Sequence, residues 1–151
     1  MGAEAKLAEL GITVPDVSPP VAAYQPTARS GNLVFTAGQL PARDGEMIAV
    51  GKLGADVSEE QGYECARQCA LNALAAVKAE IGSLDDVKRV VKVVVFVAST
   101  PDFTGQPKVA NGASELLGEV FGESGKHARS AVGVAALPLD VPVEVEITVE
   151  V

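Results

Sequence analysis

Polar and apolar positions alternate most regularly at the end of the chain. Val143, Val145, Ile147, Val149 and Val151 share one face, and Glu144, Glu146, Thr148 and Glu150 share the other. That pattern predicts a strand with one buried face. A segment of small apolar residues, Ala128 to Leu137, precedes it across a loop holding Leu137-Pro138 and Asp140. The two arms predict an antiparallel hairpin with a long connection. Paired symmetrically about Pro138, they put Arg129 on the face bearing Glu144 and Glu146, and a one-residue slip separates them.

Upstream, the run Lys88–Ala98 (KRVVKVVVFVA) is too continuously apolar for a half-exposed strand. It predicts a central strand covered on both faces. The helical period appears in two long stretches. Ser58 with Gln61 forms a capping box, apolar or small residues recur from Cys65 to Ile81, and Gly82 ends the run. From about Gln106 to Phe121, Val109, Leu116, Leu117, Val120 and Phe121 form a second buried stripe, with Pro107 in its first turn. Gly112 and Gly118 weaken this helix and suit close packing. Tyr24–Ser30 and Leu33–Gln39 predict two strands joined at Gly31-Asn32. Residues 42–57 read as a loop with a turn at Asp44-Gly45 and one short strand. Ala3–Leu10 predicts a short helix closed by Gly11, followed by a proline-rich extended connector to Pro20.

The expected organisation is therefore an N-terminal cap and connector over residues 1–20 and one domain over 21–151. The element order predicts an α+β, two-layer fold, a mostly antiparallel sheet packed on two helices. One helix layer covers only one sheet face. The doubly apolar strand at 88–98 thus points to other subunits burying the second face.

A chain of 151 residues is long enough to bury roughly two-thirds of its unfolded surface as one domain. With no Trp and only 4% aromatics, its core must be built from small branched side chains. The formal charge of −8 disfavours nonspecific binding to nucleic acid or an anionic membrane. Cys65 and Cys69 lie four apart on a predicted helix, a poor spacing for a bridge, and read as small buried apolar residues. One His and no CxxC give no recognisable zinc or iron–sulfur pattern. The start, MGAEAKLAELG, lacks a signal-peptide core, no stretch approaches a membrane span, and a reducing cytoplasmic setting is expected.

Taken singly, the polar candidates are ambiguous. Arg129 in a strand is as readily a structural ion-pair partner, Glu144 a solvated face residue, and Tyr24 a half-buried strand aromatic. Asn111 reads as an exposed or packing polar residue, and His127 as an incidental loop residue. Their order is more specific: Tyr24, then Gly38-Gln39-Leu40-Pro41, Asn111, Ala128-Arg129-Ser130, Leu137-Pro138 and Val143-Glu144-Val145-Glu146. This set, spread over residues 20–151, resembles the RidA/YjgF family of enamine/imine deaminases, formerly labelled endoribonuclease L-PSP. Ala131 departs from a common family cysteine, and Ser114 and Leu117 lie where many members carry aromatics. The long cap and the 42–57 loop suit a branch of about 150 residues.

The resemblance implies a chorismate-mutase-like fold, a homotrimer and a ligand cleft at each subunit interface. It implies hydrolysis of 2-imino or 2-enamino acids to 2-keto acids and ammonia, with no metal or organic cofactor. Arg129 matches the residue that grips the substrate carboxylate, Glu144 the one that positions water, and Gly38 a backbone contact. Tyr24 and Asn111 match positions lining the pocket. The chemistry is coherent on its own terms. A planar guanidinium holds a carboxylate bidentately, and a carboxylate that orients water lowers the barrier to attack on an imine carbon. The alternative is a regulatory trimer that binds a keto acid without turning it over. Ribonuclease action is disfavoured by the negative charge and the scarcity of aromatics.

Overall fold

The computed structural model describes residues 1–17, 19–20 and 22–151. Helix α1 (Ala3–Glu9) ends at Gly11, which takes the left-handed conformation (φ 70°). Strands β1 (Thr27–Ser30) and β2 (Leu33–Thr36) form a hairpin in which Gly31 alone takes positive φ. A two-stranded ribbon, β3 (Ala42–Arg43) and β4 (Glu46–Met47), turns through left-handed Asp44 and Gly45, so the loop carries two short strands rather than one. Helix α2 spans Glu59–Ile81 and opens with the expected reciprocal Ser58–Gln61 capping box. Strand β5 (Arg89–Ala98), helix α3 (Gln106–Phe121), strand β6 (Ala128–Val134) and strand β7 (Val143–Glu150) complete the chain.

The main sheet has the order β1-β2-β7-β5-β6, with β5 and β6 parallel and every other pair antiparallel. The three helices pack on this sheet in a chorismate-mutase-like α+β arrangement, with α1 lying against α3. Val90, Val93, Val95, Val97, Val143, Val145, Ile147 and Val149 face α2 and α3 and are buried. Small residues along α2 (Cys65, Ala66, Cys69, Ala70, Ala73) let it sit close to the strands. Gly112 does the same between the helices, since a Cβ there would overlap the Tyr63 carbonyl oxygen. Gly118 has no atom within 4 Å of such a position, so only one of the two glycines serves packing. Among the described residues no helix is long and apolar enough to cross a membrane.

The predicted C-terminal hairpin does not form. Strand β5 lies between β6 and β7, pairing with β6 from Lys92–Ala128 to Ala98–Val134 and with β7 from Arg89–Glu150 to Val97–Val143. The reason is the helix between β5 and β6. A strand–helix–strand crossover returns the chain parallel to its first strand, so α3 delivers β6 to the β5 edge. The loop after β6 then crosses the end of β5 to reach β7. Cross-strand partners share a face. Arg129 therefore sides with Val93 and Ile147, toward the helices, whereas Glu144 sides with Phe96 on the open face. The symmetric register expected for Arg129 and the glutamates is not the one the protein adopts.

Candidate functional site

Arg129 lies on the edge strand β6, where its half-buried side chain reaches the N-terminal half of α3. Its Nη1 donates to Asn111 Oδ1 at 2.8 Å and to Ser114 Oγ at 3.1 Å, and Nη2 donates to the Pro107 carbonyl at 3.4 Å. All three acceptors are neutral. Among the described residues no carboxylate lies within 4.0 Å of the guanidinium. Both protons of Nη1 are thus used by α3, and the Nε–Nη2 edge is the one left to meet an anion side-on.

Ser114 is held in turn by His127. Nδ1 of His127 lies 2.6 Å from the Gly125 carbonyl, which only accepts, so Nδ1 carries the proton. In the neutral ring Nε2 then accepts from the Ser114 hydroxyl at 2.8 Å, leaving the Ser114 oxygen to receive the Arg129 proton. His127 is therefore part of the support of Arg129 rather than an incidental loop residue. Histidine next to an arginine strand gives no sequence signal for this; only the return of β6 beside α3 brings it to Ser114.

Glu144 lies on the other side of the sheet, with Gly38 over it. After Phe35–Thr148 the β2–β7 ladder breaks and resumes at Gln39–Val145, with one extra residue on the β2 side. This is a β-bulge. The Thr36 hydroxyl takes the Ile147 N–H at 3.0 Å, and the Ala37 N–H goes to Pro26 at 2.8 Å. The bulge lays Gly38 over Glu144 so closely that a Cβ at 38 would overlap the carboxylate. Burial, and then repulsion from Glu146, hold the Glu144 carboxyl above its ordinary pKa. Tyr24 lies in a bend before β1 rather than within that strand, and lines a cavity of about 120 Å³ together with Gly38. Asn72, buried on α2, fixes the segment after the bulge by donating to the Leu40 and Ala42 carbonyls at 3.0 and 2.9 Å, with Gln68 satisfying its oxygen. An asparagine amid alanines in a helical stripe was the available signal for Asn72.

The candidate residues thus form two clusters within one chain. Gly38 and Glu144 stand together on the open face of the sheet, and Tyr24 shares a cavity with Gly38. Asn111 and Arg129, with Ser114 and His127, stand on the other, and β5 separates Glu144 from Arg129 in the strand order.

Residues 4–151 match the family model described as "YjgF/chorismate_mutase-like, putative endoribonuclease". The chain belongs to the RidA/YjgF family. Within this family it is 48% identical to protein TCP17 of Trypanosoma cruzi over 97% of this chain and 92% of that one. It is 31% identical to a 2-iminobutanoate/2-iminopropanoate deaminase of Dermatophagoides farinae, over 89% and 91% of the two chains. A crystal structure from Shewanella oneidensis MR-1 superposes with a TM-score of 0.97 at 31% identity, covering 100% of both chains. The RidA/YjgF fold is also that of Escherichia coli TdcF, solved with bound serine, at a TM-score of 0.65 and 26% identity over 89% and 93%.

Proposed function

We propose that this protein hydrolyses reactive 2-imino and 2-enamino acids to 2-keto acids and ammonia. The observation that carries the reading is the state of Arg129: a rigidly held guanidinium with no carboxylate beside it among the described residues. A half-buried cation of this kind favours an anionic guest, because a low dielectric strengthens a charge-assisted bidentate pair. Kinship to an imine deaminase, and serine bound in TdcF, support a small amino-acid-like carboxylate as that guest.

In the reaction, the Nε–Nη2 edge of Arg129 fixes the substrate carboxylate, and Asn111 keeps that edge oriented. An enamine first tautomerises to the imine by protonation at its β-carbon. Glu144 takes a proton from water as the water oxygen bonds to the imine carbon and returns it to nitrogen, giving a carbinolamine. Glu144 then relays the carbinol hydroxyl proton to nitrogen as the carbon–nitrogen bond breaks and the carbonyl forms, and ammonia leaves with the keto acid. Gly38 offers backbone beside the carboxylate, and Tyr24 lines the wall. The chemistry draws on positioning and on the relay of both water protons to nitrogen, within reach of these groups because imines are intrinsically reactive.

A complete site needs Arg129 and Glu144 on one cleft, yet within a chain they occupy opposite faces of the sheet. The proposal therefore includes a homotrimer in which each cleft takes Arg129 from one copy and Glu144 from the next. The half-open apolar face, with Phe35 at 43% and Val132 at 44% exposure, supports such burial. Free, buried Cys65 and Cys69 agree with a reducing cytoplasmic setting. The test is release of keto acid from freshly generated 2-aminoacrylate or a longer imino acid. Acceleration over buffer that is lost in Arg129→Ala supports the reading. Ligand binding with no acceleration for any imino acid leaves a regulatory keto-acid binder instead.

A further inference from the structure

We infer that Thr36 and Asn72 are positioning residues for the reaction: together they hold the backbone of Gly38 over Glu144. The inference rests on the deaminase reading for its effect on rate, whereas the placement itself is independent of that reading. Among the described residues only two buried side chains carry an oxygen or nitrogen atom, Thr36 at 7% and Asn72 at 6% exposure. A buried hydroxyl or amide costs stability unless it is bonded, and an alanine at 72 would match the small residues along that face of α2. Both polar groups instead serve one irregularity, the bulge between β2 and β7.

Thr36 fixes the upstream side. Its hydroxyl accepts the Ile147 N–H at 3.0 Å where the ladder breaks, so the bulge begins on a side chain. Asn72 fixes the downstream side. Both of its amide protons go to one stretch, to the Leu40 carbonyl at 3.0 Å and the Ala42 carbonyl at 2.9 Å. Gln68 donates to Asn72 Oδ1 at 3.0 Å and so sets which way the amide faces. Between these anchors Gln39 is bonded to Val145 in both directions, at 2.7 and 3.0 Å. Val145 adjoins Glu144 in β7. Gly38 therefore has fixed backbone on either side, and it closes over the Glu144 side chain with no room for a Cβ. Neither Thr36 nor Asn72 bonds to Glu144; each acts through the backbone that covers it.

Three variants test this. Thr36→Val keeps the shape and removes the acceptor, Thr36→Ser keeps the acceptor, and Asn72→Ala removes both donors. Asn72→Ala should fold, because Asn72 and Ala42 line a cavity of about 560 Å³ from which water can reach the freed carbonyls. Carbon-13 NMR titration of the Glu144 carboxyl in the full chain reads its cover without any substrate. Burial holds that pKa up. Thr36→Val and Asn72→Ala should bring it down toward the ordinary glutamate value, and Thr36→Ser should leave it raised. The substitutions leave its titratable neighbours in place: Glu146 on β7, Lys92 on β5, Cys69 on α2, Tyr24 beside Gly38 and, in the proposed trimer, a second copy's Arg129. A misplacement of about 1 Å can cost a hundredfold in rate, so kcat for imine hydrolysis should fall about tenfold or more in the first and third variants. KM should change less, and Thr36→Ser should recover most of the rate. An unmoved Glu144 titration in the folded variants, or an unmoved kcat where the wild type is active, would overturn the assignment. A titration that moves in a protein with no imine turnover would instead sink deamination and leave the positioning standing.

Discussion

Arg129 is useful only if its fork points one way, and two side chains from α3 decide that. Ser114 stands between an arginine that donates to it and a histidine that accepts from it. Removing its hydroxyl leaves one guanidinium proton and the His127 Nε2 without that partner, a loss of about 1–3 kcal/mol. Ser114→Ala should raise KM for carboxylate substrates about tenfold with a smaller change in kcat, and Ser114→Thr should recover most of it. Steady-state kinetics resolves the two parameters; equal KM values would remove Ser114 from the account. Glu144 makes a separate prediction. Its carboxyl is held above the ordinary glutamate range by burial and by Glu146. It must be ionised to take a proton from water. The pH profile of kcat/KM should therefore rise through an ionisation lying above the usual glutamate pKa, and Glu144→Gln should abolish that limb. The same shift has a stability consequence. The folded state holds this proton more tightly than the unfolded chain, so stability falls as pH rises from the unfolded glutamate pKa through the raised folded one. Glu144→Gln should flatten that fall in denaturant titrations.

The glycines separate packing from chemistry among the elements. An added methyl at Gly112 meets backbone of α2 and must push the helices apart, while at Gly118 it meets nothing. Gly112→Ala should cost about 1–3 kcal/mol by overpacking, and Gly118→Ala should gain up to about 1 kcal/mol from helix propensity. Chemical denaturation compares the pair. Gly38→Ala first meets the Glu144 side chain rather than backbone, so its effect should fall more on rate than on stability. The long helices, their caps and the central strand were legible because period and capping residues are local signals, as in Ser58–Gln61 and in the run from Arg89 to Ala98. Strand pairing was not. Two alternating segments across a proline turn carry the signature of a hairpin, and only the crossover through α3 shows that β5 must come between them. Arg129 and Glu144 were singled out by motif order, whereas their placement on opposite sheet faces depended on that pairing. Ser114 and His127 stayed hidden for the same reason, since no spacing in the sequence links them.

At the scale of the molecule, the opposite placement of the two charged groups becomes the central fact. A sheet with one face packed on helices leaves Val94, Phe96, Phe35 and Val132 partly or largely exposed in the lone chain. A second copy would cover that face and bring a foreign Glu144 toward Arg129. Val132→Glu should place a charge in this contact and shift the assembly toward monomer in sedimentation, with activity lost in parallel. The most direct test of the shared cleft mixes two inactive proteins, Arg129→Ala and Glu144→Gln, after co-expression. If each site draws its arginine and its glutamate from different copies, every mixed trimer regains both groups at one of its sites, which is about a quarter of all sites when equal amounts assemble at random. Imine hydrolysis should then return to about that fraction of wild type. Mixed assemblies that form but remain as inactive as either parent would contradict a site shared between chains.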